Sequence, residues 1–191
     1  MRVWMISLRM SIVFMILLGL GYNLVVTGIA QLFMPYQADG SLIYDDQKQL
    51  VGSELIGQSF TEPGYFQGRV SSIEYNALGS GSANYAPSNP DLLTRTKASI
   101  EAWSSENPDV QISEVPLELV TNSGSGLDPH ISPEAARVQI PRISKATGIS
   151  QEELEQLVEK HISDRQFGFL GEPVVTVLEL NLDLQSHLSI P

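Results

Sequence analysis

The residues best equipped for chemistry crowd into one run, Ser123-Gly124-Ser125-Gly126-Leu127-Asp128-Pro129-His130-Ile131-Ser132-Pro133. Glycines and serines placed before a helix start can cradle an anion on backbone N–H groups. A P-loop, however, sets a lysine and a hydroxyl at the helix entrance, and here Gly126 is followed by Leu127 and Asp128. Asp128 would also repel a phosphate. The run therefore reads as a tight, self-bonded loop that presents a surface to a partner, with Ser123, Gly124, Ser125, Gly126, Asp128 and His130 as its candidate residues. Asp128 and His130, two apart, point the same way only in an extended loop, and no further His or Cys cluster accompanies them, so no metal site is expected. His161 on an apolar helical stripe and His187 near the C-terminus read as structural.

General acid–base chemistry needs paired carboxylates held in a pocket. Asp45-Asp46 and Glu152-Glu153 are instead sequence neighbours expected on solvated faces. No serine stands in a nucleophile-elbow pattern. The chain has no cysteine, which removes disulfides, thiolate metal sites and cysteine nucleophiles. By its residues it is expected to be no enzyme by itself.

The elements that carry these residues begin with an apolar segment. Residues 10–34 contain no charged side chain, and Arg2 and Arg9 precede them. About 20 apolar residues suffice to cross a bilayer as a helix. A cleaved secretory signal has a shorter apolar core of about 7–15 residues. Gly28-Ile29-Ala30 resembles a cleavage site, so the alternative is an exported acidic binding domain released after signal cleavage. The length favours a retained anchor. The first basic residue beyond the segment is Lys48, so the positive-inside rule puts the N-terminus in the cytoplasm and the rest outside. Pro35 is expected to stop the helix, with Tyr36 at the interface. Within the helix, Asn23 and Thr27 share one face and Gly21 and Gly28 another pair of aligned positions. Small residues allow close helix approach and amides bond across helices in lipid, so Gly21, Asn23, Thr27 and Gly28 are the expected docking positions for other membrane subunits.

All 22 acids lie beyond the apolar segment, against nine of the 11 basic residues. So acidic a domain repels nucleic acid. It stays soluble and can raise the local cation concentration.

Short strands and turns are expected over 39–62, then a turn-rich stretch from Thr61 to Pro90 whose aromatics imply packing. Asn89-Pro90 should open a helix ending at Asn107-Pro108. Leu117–Val120 reads as a short strand. Ser132-Pro133 should start a helix reaching Thr147, with Gly148 as its left-handed terminator. Ser150 and Glu153 form a capping box ahead of an amphipathic helix. Val174 to Leu182 reads as a strand with Val174, Leu178, Leu180 and Leu182 on one face. The expected fold is a mixed α/β (α+β) soluble domain anchored by one N-terminal transmembrane helix: 1–9 cytoplasmic, 10–34 membrane-spanning, 35–191 extracytoplasmic.

Several motifs resemble one family. Gly52-Ser53-Glu54-Leu55-Ile56-Gly57-Gln58, Tyr65-Phe66-Gln67-Gly68-Arg69, Pro87-Ser88-Asn89-Pro90, the 121–133 loop, Leu170-Gly171-Glu172-Pro173 and Leu178-Glu179-Leu180-Asn181-Leu182 are similar in order and spacing to the C subunit of the Kdp-type potassium-transporting P-type ATPase. The chain departs from the family pattern at Val70, where a proline usually follows the Gly-Arg pair, and in the Gly-Ser-Ala-Asn run at 81–84. The resemblance implies an accessory subunit of an ATP-driven potassium uptake complex in the bacterial inner membrane. Its partners there would be a channel-like potassium-binding subunit, a P-type ATP-hydrolysing subunit and a small helical subunit. It also implies roles in assembly and as a catalytic chaperone that raises the ATP affinity of the hydrolysing subunit. The charge bias opposes direct contact with cytoplasmic ATP, so nucleotide is expected with the partner and no cofactor on this chain.

Overall fold

From Arg2 to Phe33 the backbone forms one helical rod of 32 residues. It consists of α1 (Arg2–Phe14), a π-helical stretch (Met15–Tyr22) and α2 (Asn23–Phe33), and no residue in it is buried. At about 1.5 Å per residue the rod is well over the ~30 Å of a hydrocarbon core. It starts at the arginines, ahead of the charge-free segment. Its far end differs from the expectation. Met34 (φ −140°) interrupts the rod, and Pro35 opens a further short helix, α3 (Pro35–Ala38). A proline in the first helical position loses no hydrogen bond, because that N–H has no helical acceptor.

This computed structural model describes residues 2–45 and 47–188, so Asp46 of the Asp45-Asp46 pair lies outside the described residues. The chain divides into two compact units, Met1–Ser53 and Glu54–Pro191. In the first, β1 (Leu42–Tyr44) pairs antiparallel with β2 (Leu50–Ser53), in register Leu42 to Ser53 and Ile43 to Gly52. Asp45 closes their turn by accepting from the N–H groups of Gln47 and Gln49.

The second unit is a mixed helix–sheet domain. Helix α4 (Pro90–Glu106) has the expected cap, with Asn89 accepting from the Asp91 N–H. The expected strand at 117–120 is instead a 3-10 turn, Leu117–Leu119. Thr121 donates its hydroxyl to the Leu117 carbonyl, and Leu119 and Val120 are buried while Leu117 is exposed. The single helix expected over 133–147 is two, α5 (Pro133–Arg137) and α6 (Ile140–Thr147). Pro141 accounts for the break, since its ring excludes the carbonyl four residues back and it has no N–H to give. Gly148 ends α6 in the left-handed region, and the Ser150–Glu153 capping box opens α7 (Gln151–Lys160).

Strand β5 (Val174–Thr176) lies between β3 (His130–Ile131) and β4 (Ile162–Ser163), antiparallel to both. Here the reading of 174–182 as one strand is wrong beyond Thr176: Val177–Leu188 is a helix, α8. Val177, Leu180, Asn181 and Leu184 are all buried, and their spacing is helical. The alternation of Leu178, Leu180 and Leu182 concealed that second period. The core joins Phe66, Trp103, Ile131, Ile143, Leu154, Val175 and Leu180, among others.

Candidate functional site

The 121–133 loop is bonded to itself first. Ser123 Oγ accepts from the Gly126 N–H, Ser125 Oγ from the Leu127 N–H, and Asp128 Oδ1 from the His130 N–H. The N–H groups of Gly126, Leu127 and His130 are thus engaged by the loop's own side chains. Ser132 then caps α5 by accepting from the Ala135 N–H.

The turn-rich stretch closes over this loop. Ser123 N–H donates to the Val70 carbonyl at 3.1 Å, Gly81 N–H to Ser125 at 2.7 Å and Gly57 N–H to Leu127 at 2.8 Å. Ser71 Oγ donates to the Gly126 carbonyl at 2.7 Å. Two glycines permit this approach. A Cβ on Gly57 would collide with the Asp128 carbonyl, and one on Gly126, at φ +71°, would stand 2.7 Å from the Ile73 side chain.

Electrostatics follow the same plan. Arg69 Nη1 donates to Asp128 Oδ2 at 2.9 Å, so the carboxylate that argued against phosphate is paired with this chain's own cation. The Tyr75 hydroxyl donates to the Arg69 carbonyl. Burial, and after it the Asp128 charge, push that phenol up to about 12, against the pull of Arg69. It stays neutral in any physiological medium. His130 Nδ1 lies 3.8 Å from Asp128 Oδ1, while Gly124 is exposed. Six sequence candidates therefore divide: Ser123, Ser125, Gly126 and Asp128 build the knot, His130 borders it and Gly124 faces outward. Among the described residues, no three metal-ligating side chains come together.

Sequence reasoning passed over the side chains that hold the loop framework to the helices. Gln139, fully buried, accepts from the Gln67 N–H and donates to the Gln67 carbonyl. Asn181 does the same for Phe66. Arg142 donates to the carbonyls of Pro63 and Tyr65 and to the side-chain oxygens of Asn107 and Gln139. Burial lowers its pKa, opposed by the charge of Glu106. The available signal was positional, since Gln139 follows the apolar spacing of Ala135, Ala136 and Ile143.

In the rod, Asn23 Nδ2 donates to the Gly19 carbonyl at 2.6 Å. Its amide thus serves its own helix at the end of the π-helical stretch. A Cβ on Gly28 would meet nothing within 4 Å, and one on Gly21 only the Ile16 carbonyl at 3.7 Å. Thr27 is exposed.

The family model described as K+-transporting ATPase, c chain, matches residues 4–186. The chain belongs to the KdpC family. The potassium-transporting ATPase KdpC subunit of Bacillus cereus (strain Q1) is 58% identical over 181 residues, covering 95% of this chain and 94% of that one. Its counterpart in Bacillus cereus (strain ATCC 14579) is 59% identical over 178 residues, 93% and 92% of the two chains. That of Bacillus anthracis is 58% identical with the same coverage. The KdpC match takes in the apolar rod, the knotted loops and the buried clips. This fold is therefore that of a potassium-ATPase subunit with, among the described residues, one helix long and apolar enough to cross a membrane.

Proposed function

We infer that this chain is an accessory, non-catalytic subunit of an ATP-driven potassium uptake complex. Its rod docks among the membrane helices of a channel-like potassium-binding subunit, a P-type ATP-hydrolysing subunit and a small helical subunit. The N-terminus is cytoplasmic and the folded domain extracytoplasmic. The observation that carries this reading is the match from residue 4 to residue 186, which includes the rod. The rod's uncovered apolar surface and the arginines at its start support it, since positive residues stay on the cytoplasmic side.

Assembly is then the direct role. Any effect on the ATP affinity of the hydrolysing subunit is indirect, through a contact that biases that subunit's conformational equilibrium. The self-bonded loop at 123–133 supports this, because the N–H groups of Gly126 and Leu127 and the Asp128 carboxylate already have partners inside the chain.

An impermeant biotinylation reagent applied to intact spheroplasts tests the reading. Lys97, exposed on α4, is expected to react before lysis. Reaction only after lysis would place the domain with the cytoplasmic nucleotide and reverse the scheme. Deleting residues 1–34 is expected to abolish co-purification with the membrane subunits.

A further inference from the structure

Between β4 and β5 the chain makes a small turn with its own closure. Gln166 and Leu170 exchange both main-chain hydrogen bonds at 2.9 Å, and Gly168 N–H donates to the Arg165 carbonyl at 3.0 Å. Arg165 Nη2 clamps Glu172 Oε2 across the base at 2.5 Å. Phe167, at φ 53°, and Gly168 and Gly171, at φ 79° and 80°, occupy the left-handed region. A phenylalanine in that region is uncommon and unfavourable. The result is two aromatic rings held out into solvent, Phe167 86% and Phe169 71% exposed, with Leu170 half exposed beside them.

We propose that this turn is a docking wedge, and that Phe167 and Phe169 enter an apolar recess on an extramembrane face of a partner subunit already joined to this chain through the rod. This rests on the subunit reading above. Area chooses among occupants. Two phenylalanines bury roughly 300–500 Å², well short of the ~800 Å² per partner of a stable free-standing interface. So small a contact is effective only where another contact already raises the local concentration of the partner. Charge narrows the choice further. The chain carries a net −11, and the Arg165–Glu172 pair leaves the turn itself without compensating positive charge. A second copy of the chain and an anionic bilayer surface would both be repelled. A co-anchored subunit with an uncharged, apolar recess meets both conditions.

The whole complex, expressed in membranes with a benzophenone amino acid at 167, or separately at Phe14 in the rod, tests this. Photolysis is expected to cross-link both positions to membrane-embedded subunits. A cross-link from Phe14 to a subunit, with position 167 reaching lipid, a second copy or nothing, would overturn the wedge and leave the subunit reading standing. Failure at both positions overturns both. A cross-link from 167 alone upholds the wedge and moves the docking contact of the rod to a face other than that of Phe14. The paired change Phe167→Asn with Phe169→Ser provides a second measurement, because asparagine tolerates the left-handed region. The complex is expected to dissociate about tenfold faster on dilution, with the melting temperature of the chain unchanged. An unchanged dissociation rate counts against the wedge.

Discussion

Asn181 completes both main-chain hydrogen bonds of Phe66 across 115 residues of sequence. Phe66 N–H donates to Asn181 Oδ1 at 2.8 Å, and Asn181 Nδ2 donates to the Phe66 carbonyl at 2.8 Å. An amide side chain on α8 thus does for the 61–68 stretch what a neighbouring strand would do. Phe66 can be fully buried with no sheet around it, because a buried backbone group needs a partner but not a particular one.

Asn181→Ala leaves a buried donor and a buried acceptor unpaired. Each such group costs about 1–3 kcal/mol, so the substitution should destabilise the domain by about 2–6 kcal/mol. A thermal melt of the full chain in detergent checks this. Asn181→Asp sets a buried carboxylate oxygen against the Phe66 carbonyl and should destabilise at neutral pH at least as much as Asn181→Ala. A melt unchanged by Asn181→Ala would mean that the clip is not formed in solution.

That clip also marks the limit of what the sequence revealed. Caps were legible because they are local: Asn89, Ser132, Ser150 with Glu153, and Gly148 all sit where their spacing placed them. The apolar rod was legible through its length. Residues 177–182 were misread because Leu178, Leu180 and Leu182 satisfy a strand period while Val177, Leu180, Asn181 and Leu184 satisfy a helical one. Only the long-range need of Phe66 for a partner turns Asn181 inward, and no local window contains it. The knot around Asp128 was half legible. Its self-bonded character followed from the serines and glycines, but Arg69 and Gly57 reach it across 59 and 71 residues, respectively.

Gly57→Ala tests the knot. The new Cβ would run into the Asp128 carbonyl, a backbone atom that cannot rotate away. Overpacking of this kind costs about 1–3 kcal/mol. Gly79→Ala, where nothing lies within 4 Å, is the matched control and should leave the melt unchanged. Equal melting temperatures for the two variants would contradict the close approach.

Two carboxylates on α8 should give stability opposite pH dependences. The hydrogen bond from Lys160 is the main cause that holds Asp183 below the usual carboxylate range. A depressed pKa contributes stability that is present above the unfolded value and is lost as pH falls through the folded one. Asp183→Asn should therefore lower the melting temperature at neutral pH and have little effect in strong acid. Burial, then the charge of Glu54, raises Glu179 above that range. A raised pKa contributes stability that is complete below the unfolded value and is lost as pH rises through the folded one. Glu179→Gln should therefore raise the melting temperature at neutral pH but not near pH 4. Melts of the two variants across this window check both signs, and parallel curves for the pair would reject them.

The rod allows assembly to be separated from folding. Gly21 and Gly28 lie seven residues apart, close to two helical turns, so they share a face. A Cβ added at Gly28 would meet nothing within 4 Å, and one at Gly21 only the Ile16 carbonyl at 3.7 Å. Leucine is also a better helix former than glycine by up to about 1 kcal/mol. Gly21→Leu with Gly28→Leu should therefore leave the isolated chain's helix content intact, as circular dichroism in detergent would show. Any loss must then arise where another helix comes close, which small residues permit in lipid. Co-purification of the membrane subunits with the double variant is expected to fail. Asn23→Leu should do much less, because the Asn23 amide already bonds the Gly19 carbonyl of its own helix. If the asparagine change dissolves the complex while the glycine pair does not, the docking face lies around Asn23 and Thr27, and the close approach at the glycines is refuted.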